Sequence, residues 1–260
     1  MKHSELSLFK ESGEKITCLT AYDASIAGLI DSAGVDIVLI GDSLGMVIQG
    51  SSNTRSVTMK DMLYHTSIVS KACQSALVIA DMPFESYENT ELALTNAKQL
   101  VSVGADMVKI EGGQEHEEIF RVLVSNDINV CGHLGLQPQL VIDSSDYKIQ
   151  GRDKGSSELI MSDAILLESL GISLLVLECV PSDLAKNVSS KIGIPTIGIG
   201  AGNGCDGQVL VSYDMLGITS GRQPRFVRNF MSSEGSISLA VSAFVREVKA
   251  GTFPSESESY

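Results

Sequence analysis

The stretch IVLIGDSLG, residues 37–45, joins four apolar residues to a polar end. The apolar part is typical of a strand that is buried on both faces, yet Gly-Asp-Ser follows it where an ordinary turn would stand. The same pattern recurs as ALVIAD at 76–81, DMVKIE at 106–111 and SLLVLE at 173–178. Four apolar runs that each end on a carboxylate indicate equivalent strands, and their acidic ends are candidates for one shared site.

Apolar runs alternate with stretches of helical period along most of the chain. The predicted strands are 16–20, 37–40, 76–80, 107–110, 128–131, 173–177, 195–199 and 208–211. The predicted helices between them are 23–33, 58–72, 89–103, 115–124, 157–170 and 183–191. Glycines end three of these helices just before the next strand, at 34, 104 and 171. Eight strands with intervening helices predict the α/β class and a closed (β/α)8 TIM barrel.

The domain organisation follows from the absence of any linker-like segment, which predicts a single barrel domain over residues 1–260. A long polar loop at 135–155 lies outside the repeat. A C-terminal helical extension is predicted at 218–250, with its helix at 236–249, and the acidic tail 252–260 is expected to be disordered. The alternative is an open doubly wound sheet, but no GxGxxG motif follows the first strand.

Charge and apolar patterning exclude several classes of function. The chain has 19 basic and 32 acidic residues, a net charge of −13, which argues against a nucleic-acid partner. Its apolar runs fall far short of the roughly 20 residues that span a bilayer, and no signal or transit peptide is evident. We therefore expect a cytoplasmic protein without a membrane partner. Five scattered cysteines without a CxxC pair indicate reduced thiols.

Ionisable and hydroxyl side chains gather where the predicted strands end. In a barrel the chemistry takes place at the carboxyl ends of the strands, so these are the candidate site residues. Packing alone does not explain them, because a buried unpaired charge is costly. In chain order they are Asp42, Ser43, Asp81, Lys109, Glu111, His133 and Glu178.

Three of these residues, Asp42, Asp81 and Glu111, supply only carboxylate oxygens, which suit Mg2+ better than zinc. Taken singly, each acid could instead cap a helix or pair with Lys109. Bound Mg2+ would polarise the ketone of a 2-oxo acid and acidify the adjacent C–H, so that a base is needed. Glu178 is the candidate base, because its apolar surroundings would raise its pKa toward neutrality; the alternative is a structural carboxylate.

Two further site residues carry nitrogen. Lys109 should share the barrel interior with Glu111, where it would neutralise carboxylates or contact an anionic oxygen. His133 could donate a hydrogen bond to a substrate, and a structural role is equally open.

These residues lie within segments that resemble the ketopantoate hydroxymethyltransferase family (3-methyl-2-oxobutanoate hydroxymethyltransferases), and the segments follow the family's order through nearly the whole chain. They are TAYDA (20–24), GDSLGMVIQG (41–50), SVTMKDMLYH (56–65), ADMPF (80–84), VKIEGG (108–113), GHLGLQPQ (132–139), YKIQGR (147–152), LECVP (177–181) and IPTIGIGAGNGCDGQVLV (194–211).

The resemblance implies a TIM barrel that transfers a hydroxymethyl group from 5,10-methylenetetrahydrofolate to 3-methyl-2-oxobutanoate. The product would be 2-dehydropantoate, in pantothenate and coenzyme A biosynthesis, and Mg2+ would be required. The resemblance also implies a homodecamer of two pentameric rings.

The residue roles that the resemblance implies match the candidate site. Asp42 and Asp81 would bind the metal directly, with Glu111 close to it. Glu178 would be the base that abstracts the proton. The oxo acid would be bound by Asp42, Ser43, Asp81, Lys109 and His133.

The chain departs from the family pattern at two places in the loop 135–155. Gln137 stands where the family usually has Thr, and Ser145-Asp146 where it commonly has Gly-Gly. This loop would cover the site or contact folate.

One alternative function is a Mg-dependent carbon–carbon lyase or mutase of the phosphoenolpyruvate mutase/isocitrate lyase group, which should carry Cys or Asn in place of Glu178. Another is a catalytically silent metabolite-binding barrel, which would be free to lose the ionisable set.

Overall fold

Eight parallel strands form a closed barrel in the computed structural model, which describes residues 5–142, 147–221 and 223–260. Each strand pairs with the next one in the chain, and the last pairs with the first. The closed barrel confirms the predicted fold and excludes the open sheet. The strands are β1 Ile16–Thr20, β2 Ile37–Ile40, β3 Leu77–Asp81, β4 Met107–Glu111, β5 Val130–Gly135, β6 Leu174–Glu178, β7 Thr196–Ile199 and β8 Gly207–Leu210.

The helices surround the barrel, and several of them begin at side-chain caps. Asp23, Thr58 and Asn89 each accept a backbone N–H of the helix that follows, and Thr58 forms a capping box with Asp61. Among the described residues, no helix is long and apolar enough to cross a membrane. The helices are α1 Leu6–Ser12, α2 Ala24–Ser32, α3 Leu44–Val47, α4 Met59–Ser70, α5 Thr90–Ser102, α6 Glu117–Ser125, α7 Lys154–Ser169, α8 Ser182–Lys191, α9 Ser212–Met215 and α10 Ile237–Lys249.

The core has two apolar layers because alternate side chains of each strand face opposite sides. In β4, Met107 belongs to the layer inside the barrel, whereas Val108 and Ile110 pack between the strands and the helices. The inner layer also includes Leu6 of α1, which is buried against the barrel interior. Lys109 and Glu111 therefore share the interior face of β4, as the alternation predicts.

The C-terminal region packs against the barrel. The helix predicted at 236–249 is present as α10, and it contacts β1 and α2. The structure contradicts the predicted disorder of residues 252–260. Glu258 accepts two hydrogen bonds from Arg228, both at 2.6 Å, and the backbone carbonyl of Tyr260 accepts the N–H of Ser182 at 2.9 Å. The acidic composition of the tail predicted a solvated segment. Composition does not show that Arg228 compensates the charge of Glu258.

Candidate active site

The strand register brings the candidate residues to one end of the barrel. Asp81 of β3 is the register partner of Lys109 in β4, and Glu111 is the partner of His133 in β5. Glu178, at the end of β6, pairs with Gly135. A side chain at Gly135 would collide with the backbone oxygen of Glu178, which explains the glycine that follows His133 and Leu134. The barrel therefore positions the polar groups through its backbone pairing.

Lys109 connects two neighbours within the site, and only 5% of its surface is exposed. Its Nζ lies 3.0 Å from Asp81 Oδ1 and 3.3 Å from His133 Nδ1. Burial by itself lowers the pKa of Lys109, but the carboxylates of Asp81, Glu111 and Asp42 outweigh it and raise that pKa. The site thus holds a buried ammonium group that can face a substrate anion.

Asp42 and Asp81 form a carboxylate pair, and a hydrogen bond from the backbone of Asp42 connects the two residues. The N–H of Asp42 donates to Asp81 Oδ2 at 3.0 Å. Burial, followed by the charges of Asp81 and Glu111, raises the pKa of Asp42 well above its ordinary value. The other oxygen, Asp81 Oδ1, is buried and has no hydrogen-bond partner, although Lys109 is in ion-pair contact. A bound cation would stabilise both carboxylates.

The carboxylates at the strand ends suit one particular mode of metal binding. No group of three or more His, Cys, Asp or Glu side chains among the described residues is arranged to hold a metal ion. Mg2+ commonly binds to proteins through one or two carboxylates and completes its shell with waters and substrate oxygens. Asp42 and Asp81 fit that mode of binding.

His133 lies between two glutamates. Its Nδ1 is 3.5 Å from Glu111 Oε1, and its Nε2 is 3.1 Å from Glu178 Oε2, close but not aligned as a hydrogen bond. Burial and Lys109 lower the pKa of His133, but its contacts with the two glutamates outweigh them and raise it to about 9. The Glu178 side chain is 14% exposed, against 3% for Glu111. Glu178 therefore faces the open mouth of the barrel.

Ser43 lies at the margin of this group. It follows Asp42 directly after β2, and its hydroxyl forms a 2.8 Å hydrogen bond with the Tyr22 hydroxyl. The backbone oxygen of Tyr22 lies 2.6 Å from His65 Nδ1, and this contact fixes Tyr22 in turn. These contacts hold the Ser43 hydroxyl beside the carboxylate pair.

Sequence reasoning missed Gln139, the residue that links most of the site. Its Nε2 donates to Asp42 Oδ2 at 2.8 Å, and its backbone N–H donates to Glu111 Oε2 at 3.0 Å. Its Oε1 accepts the Tyr87 hydroxyl at 2.5 Å. Gln139 belongs to a 3-10 turn, Pro138–Leu140, directly after β5. The proline after GHLG was the available signal, because it starts a turn at the barrel mouth.

The loop 135–155 also carries Tyr147, whose hydroxyl lies 3.8 Å from Met46 Sδ. Burial, followed by the charges of Glu178 and Asp42, raises the pKa of Tyr147 to about 12. Of the two departures from the family pattern, Gln137 lines a cavity next to Glu111. Ser145 and Asp146 lie outside the described residues.

The fold and this cluster define a (β/α)8-barrel enzyme with charged groups at the carboxyl ends of its strands. A family model described as ketopantoate hydroxymethyltransferase matches residues 1–256, and the chain belongs to that family. The 3-methyl-2-oxobutanoate hydroxymethyltransferase of Ruthia magnifica subsp. Calyptogena magnifica is 59% identical over 260 residues, which cover 100% of both chains. The Erwinia tasmaniensis protein of the same name is 48% identical over 257 residues, 99% of this chain and 97% of that protein.

Solved structures show the same fold at low sequence identity. A 2,3-dimethylmalate lyase, a member of the PEP mutase/isocitrate lyase superfamily, superposes with a TM-score of 0.63 at 16% identity, covering 83% of this chain and 82% of its own. A phosphonopyruvate hydrolase in complex with oxalate and Mg2+ gives 0.62 at 12% identity, with 81% of each chain covered. These likenesses concern the fold alone.

Proposed function

We propose that this enzyme transfers a hydroxymethyl group from 5,10-methylenetetrahydrofolate to 3-methyl-2-oxobutanoate, giving 2-dehydropantoate. The proposal rests on one observation: a chain that matches the family over residues 1–256 also carries the complete ionisable set at the barrel mouth. A catalytically silent barrel would have no reason to bury Lys109 among carboxylates, since buried charges are costly.

Asp42 and Asp81 would hold Mg2+, and Glu111 would bind one of its waters. When bound, Mg2+ withdraws electron density from the carbonyl of the oxo acid and makes its C3 proton more acidic. Lys109 donates its ammonium hydrogen bonds to the negative oxygen that develops on the substrate. Ser43 offers a hydroxyl to the same substrate at the margin of the site.

Glu178 accepts the C3 proton in this proposal. It is the carboxylate that faces the barrel mouth, where both substrates must meet. Its neighbour His133 is held between Glu178 and Glu111, so that it orients the base and remains available as a hydrogen-bond donor. The C3 carbon then forms a bond to the one-carbon unit of the folate donor, and the two bonds from that carbon to N5 and N10 break. A water supplies the oxygen of the new hydroxyl and one proton, the C3 proton taken up by Glu178 supplies the other, and tetrahydrofolate leaves with both nitrogens protonated.

A direct assay tests this function. Wild-type enzyme with 3-methyl-2-oxobutanoate, 5,10-methylenetetrahydrofolate and Mg2+ should form 2-dehydropantoate, followed by mass spectrometry, and a chelator should stop the reaction. Omission of either substrate is the control. Absence of product, together with turnover of phosphonopyruvate or a 2-methylisocitrate-type substrate, would favour the lyase or mutase alternative.

We also propose that the chain assembles into a homodecamer of two pentameric rings, on the resemblance to the family. Light scattering of the purified protein should then give about ten times the chain mass of 27.7 kDa. A mass equal to that of one chain would contradict the assembly.

A further inference from the structure

A cavity of about 240 Å³ opens beside the active site. Glu111 and Gln139 line it and are both buried, so they form its inner end, whereas Glu85 and Glu88 are exposed at its outer end. Because Glu111 also contacts His133, the cavity and the catalytic group share a wall. A molecule in this cavity would therefore lie next to the oxo acid.

Aromatic rings form the sides of the cavity and are held in place by their neighbours. The Arg55 guanidinium stacks 3.7 Å from the centre of the Phe84 ring. The rings of Tyr87 and His116 meet edge to face at 5.2 Å, and the Tyr87 hydroxyl is fixed by Gln139. Rigid aromatic walls around a small volume favour a flat heterocyclic ligand.

The polar lining selects for hydrogen-bond donors. Glu85, Glu88 and Glu111 supply carboxylates, and among the described residues no lysine or arginine lines the cavity. Burial lowers the pKa of His116, so this imidazole adds no positive charge. Such a lining disfavours an anion and suits a ring edge with adjacent N–H groups, since a carboxylate accepts two parallel hydrogen bonds. The 2-amino-4-oxo edge of a reduced pterin has this pattern.

We propose that this cavity binds the reduced pterin ring of the one-carbon donor, with its N–H edge toward Glu85 and Glu88. The assignment rests on the proposed function and specifies where the second substrate lies. It directs the one-carbon unit toward the Glu111 end, beside the oxo acid. Arg55 stacks on Phe84 and donates a 2.9 Å hydrogen bond to the backbone oxygen of Gln139. It forms no ion pair with a carboxylate of the described segments, which leaves its charge for the anionic glutamate tail of folate.

Calorimetry on the full-length protein tests the assignment with two probes, tetrahydrofolate and 6-methyltetrahydropterin, which lacks the aminobenzoyl-glutamate tail. The double variant Glu85→Gln/Glu88→Gln should bind both probes about tenfold or more weakly, because it removes the charged acceptors. Phe84→Ala should also weaken both. The Kd of 3-methyl-2-oxobutanoate, measured on the same variants, should keep its wild-type value. Glu91→Gln, an exposed glutamate of α5 outside the cavity, is the matched control.

The outcomes separate this inference from the proposed function. Wild-type affinity for both probes in both cavity variants would overturn the cavity assignment, while hydroxymethyl transfer by the wild type would stand. Failure of the wild type both to bind tetrahydrofolate and to form product would overturn the proposed function itself.

Discussion

Replacement of Glu178 with Gln should lower turnover by a factor on the order of 10²–10⁴ while 3-methyl-2-oxobutanoate still binds. Gln keeps the size and hydrogen-bonding reach of Glu, but its amide cannot accept the C3 proton. The carboxylate is partly exposed at the mouth and its contact with His133 is the one that would change, so we expect the fold to persist. Steady-state kinetics should show a collapse of kcat with little change in the Kd of the oxo acid.

Proton exchange measures the same step without folate. Wild-type enzyme with Mg2+ and the oxo acid in D2O should replace the C3 proton with deuterium, followed by NMR. The Glu178→Gln variant should lose this exchange in proportion to its loss of turnover. Glu118→Gln, an exposed glutamate of α6, is the matched control and should exchange as fast as the wild type. Equal exchange by the Glu178 variant would show that Glu178 is not the base.

The strand pattern could be predicted from the sequence because these strands are buried on both faces. β1 and β2 have the predicted bounds. β4 extends by one residue to include Glu111, whereas β3 and β6 begin and end one residue later than predicted, so that they end at Asp81 and Glu178. The predicted strands end on the last apolar residue before each acid, but the backbone ladder continues through these acids. β5 differs most: it runs from Val130 to Gly135 instead of 128–131, because its glycines and His133 hide the strand from a hydropathy pattern.

The contacts made by loops and by the tail were not predictable, because they depend on residues far apart in the sequence. Gln139 meets Asp42 across 97 positions, and no local period reveals that pairing. His116 stands in the charged stretch QEHEE (114–118), which is typical of a solvated surface, yet it packs against Tyr87 in the cavity wall. The candidate site was predictable to the extent that its residues sit at strand ends, where topology alone brings them together.

Loss of either proposed metal ligand should weaken Mg2+ binding by at least about 100-fold. Mutation of a residue that only hydrogen-bonds to a metal ligand already lowers metal affinity by about 10–100-fold. Asp42→Asn and Asp81→Asn keep the shape of each side chain and remove its charge. Calorimetric titration of Mg2+ in the presence of the oxo acid measures the loss, and hydroxymethyl transfer should vanish in both variants. Asp183→Asn, at an exposed position in the first turn of α8, is the matched control.

Thermal unfolding gives a second measurement of the same ligands that does not depend on activity. Burial and neighbouring carboxylates raise the folded-state pKa of Asp42, so its ionised form opposes folding as the pH rises through its ordinary pKa. Asp42→Asn removes that charge, and without metal its melting temperature at neutral pH should equal or exceed that of the wild type. Added Mg2+ should raise the wild-type melting temperature by mass action and leave the variant unchanged. Equal stabilisation of both proteins by Mg2+ would contradict the assignment of Asp42 as a ligand, because the ion would then be bound elsewhere.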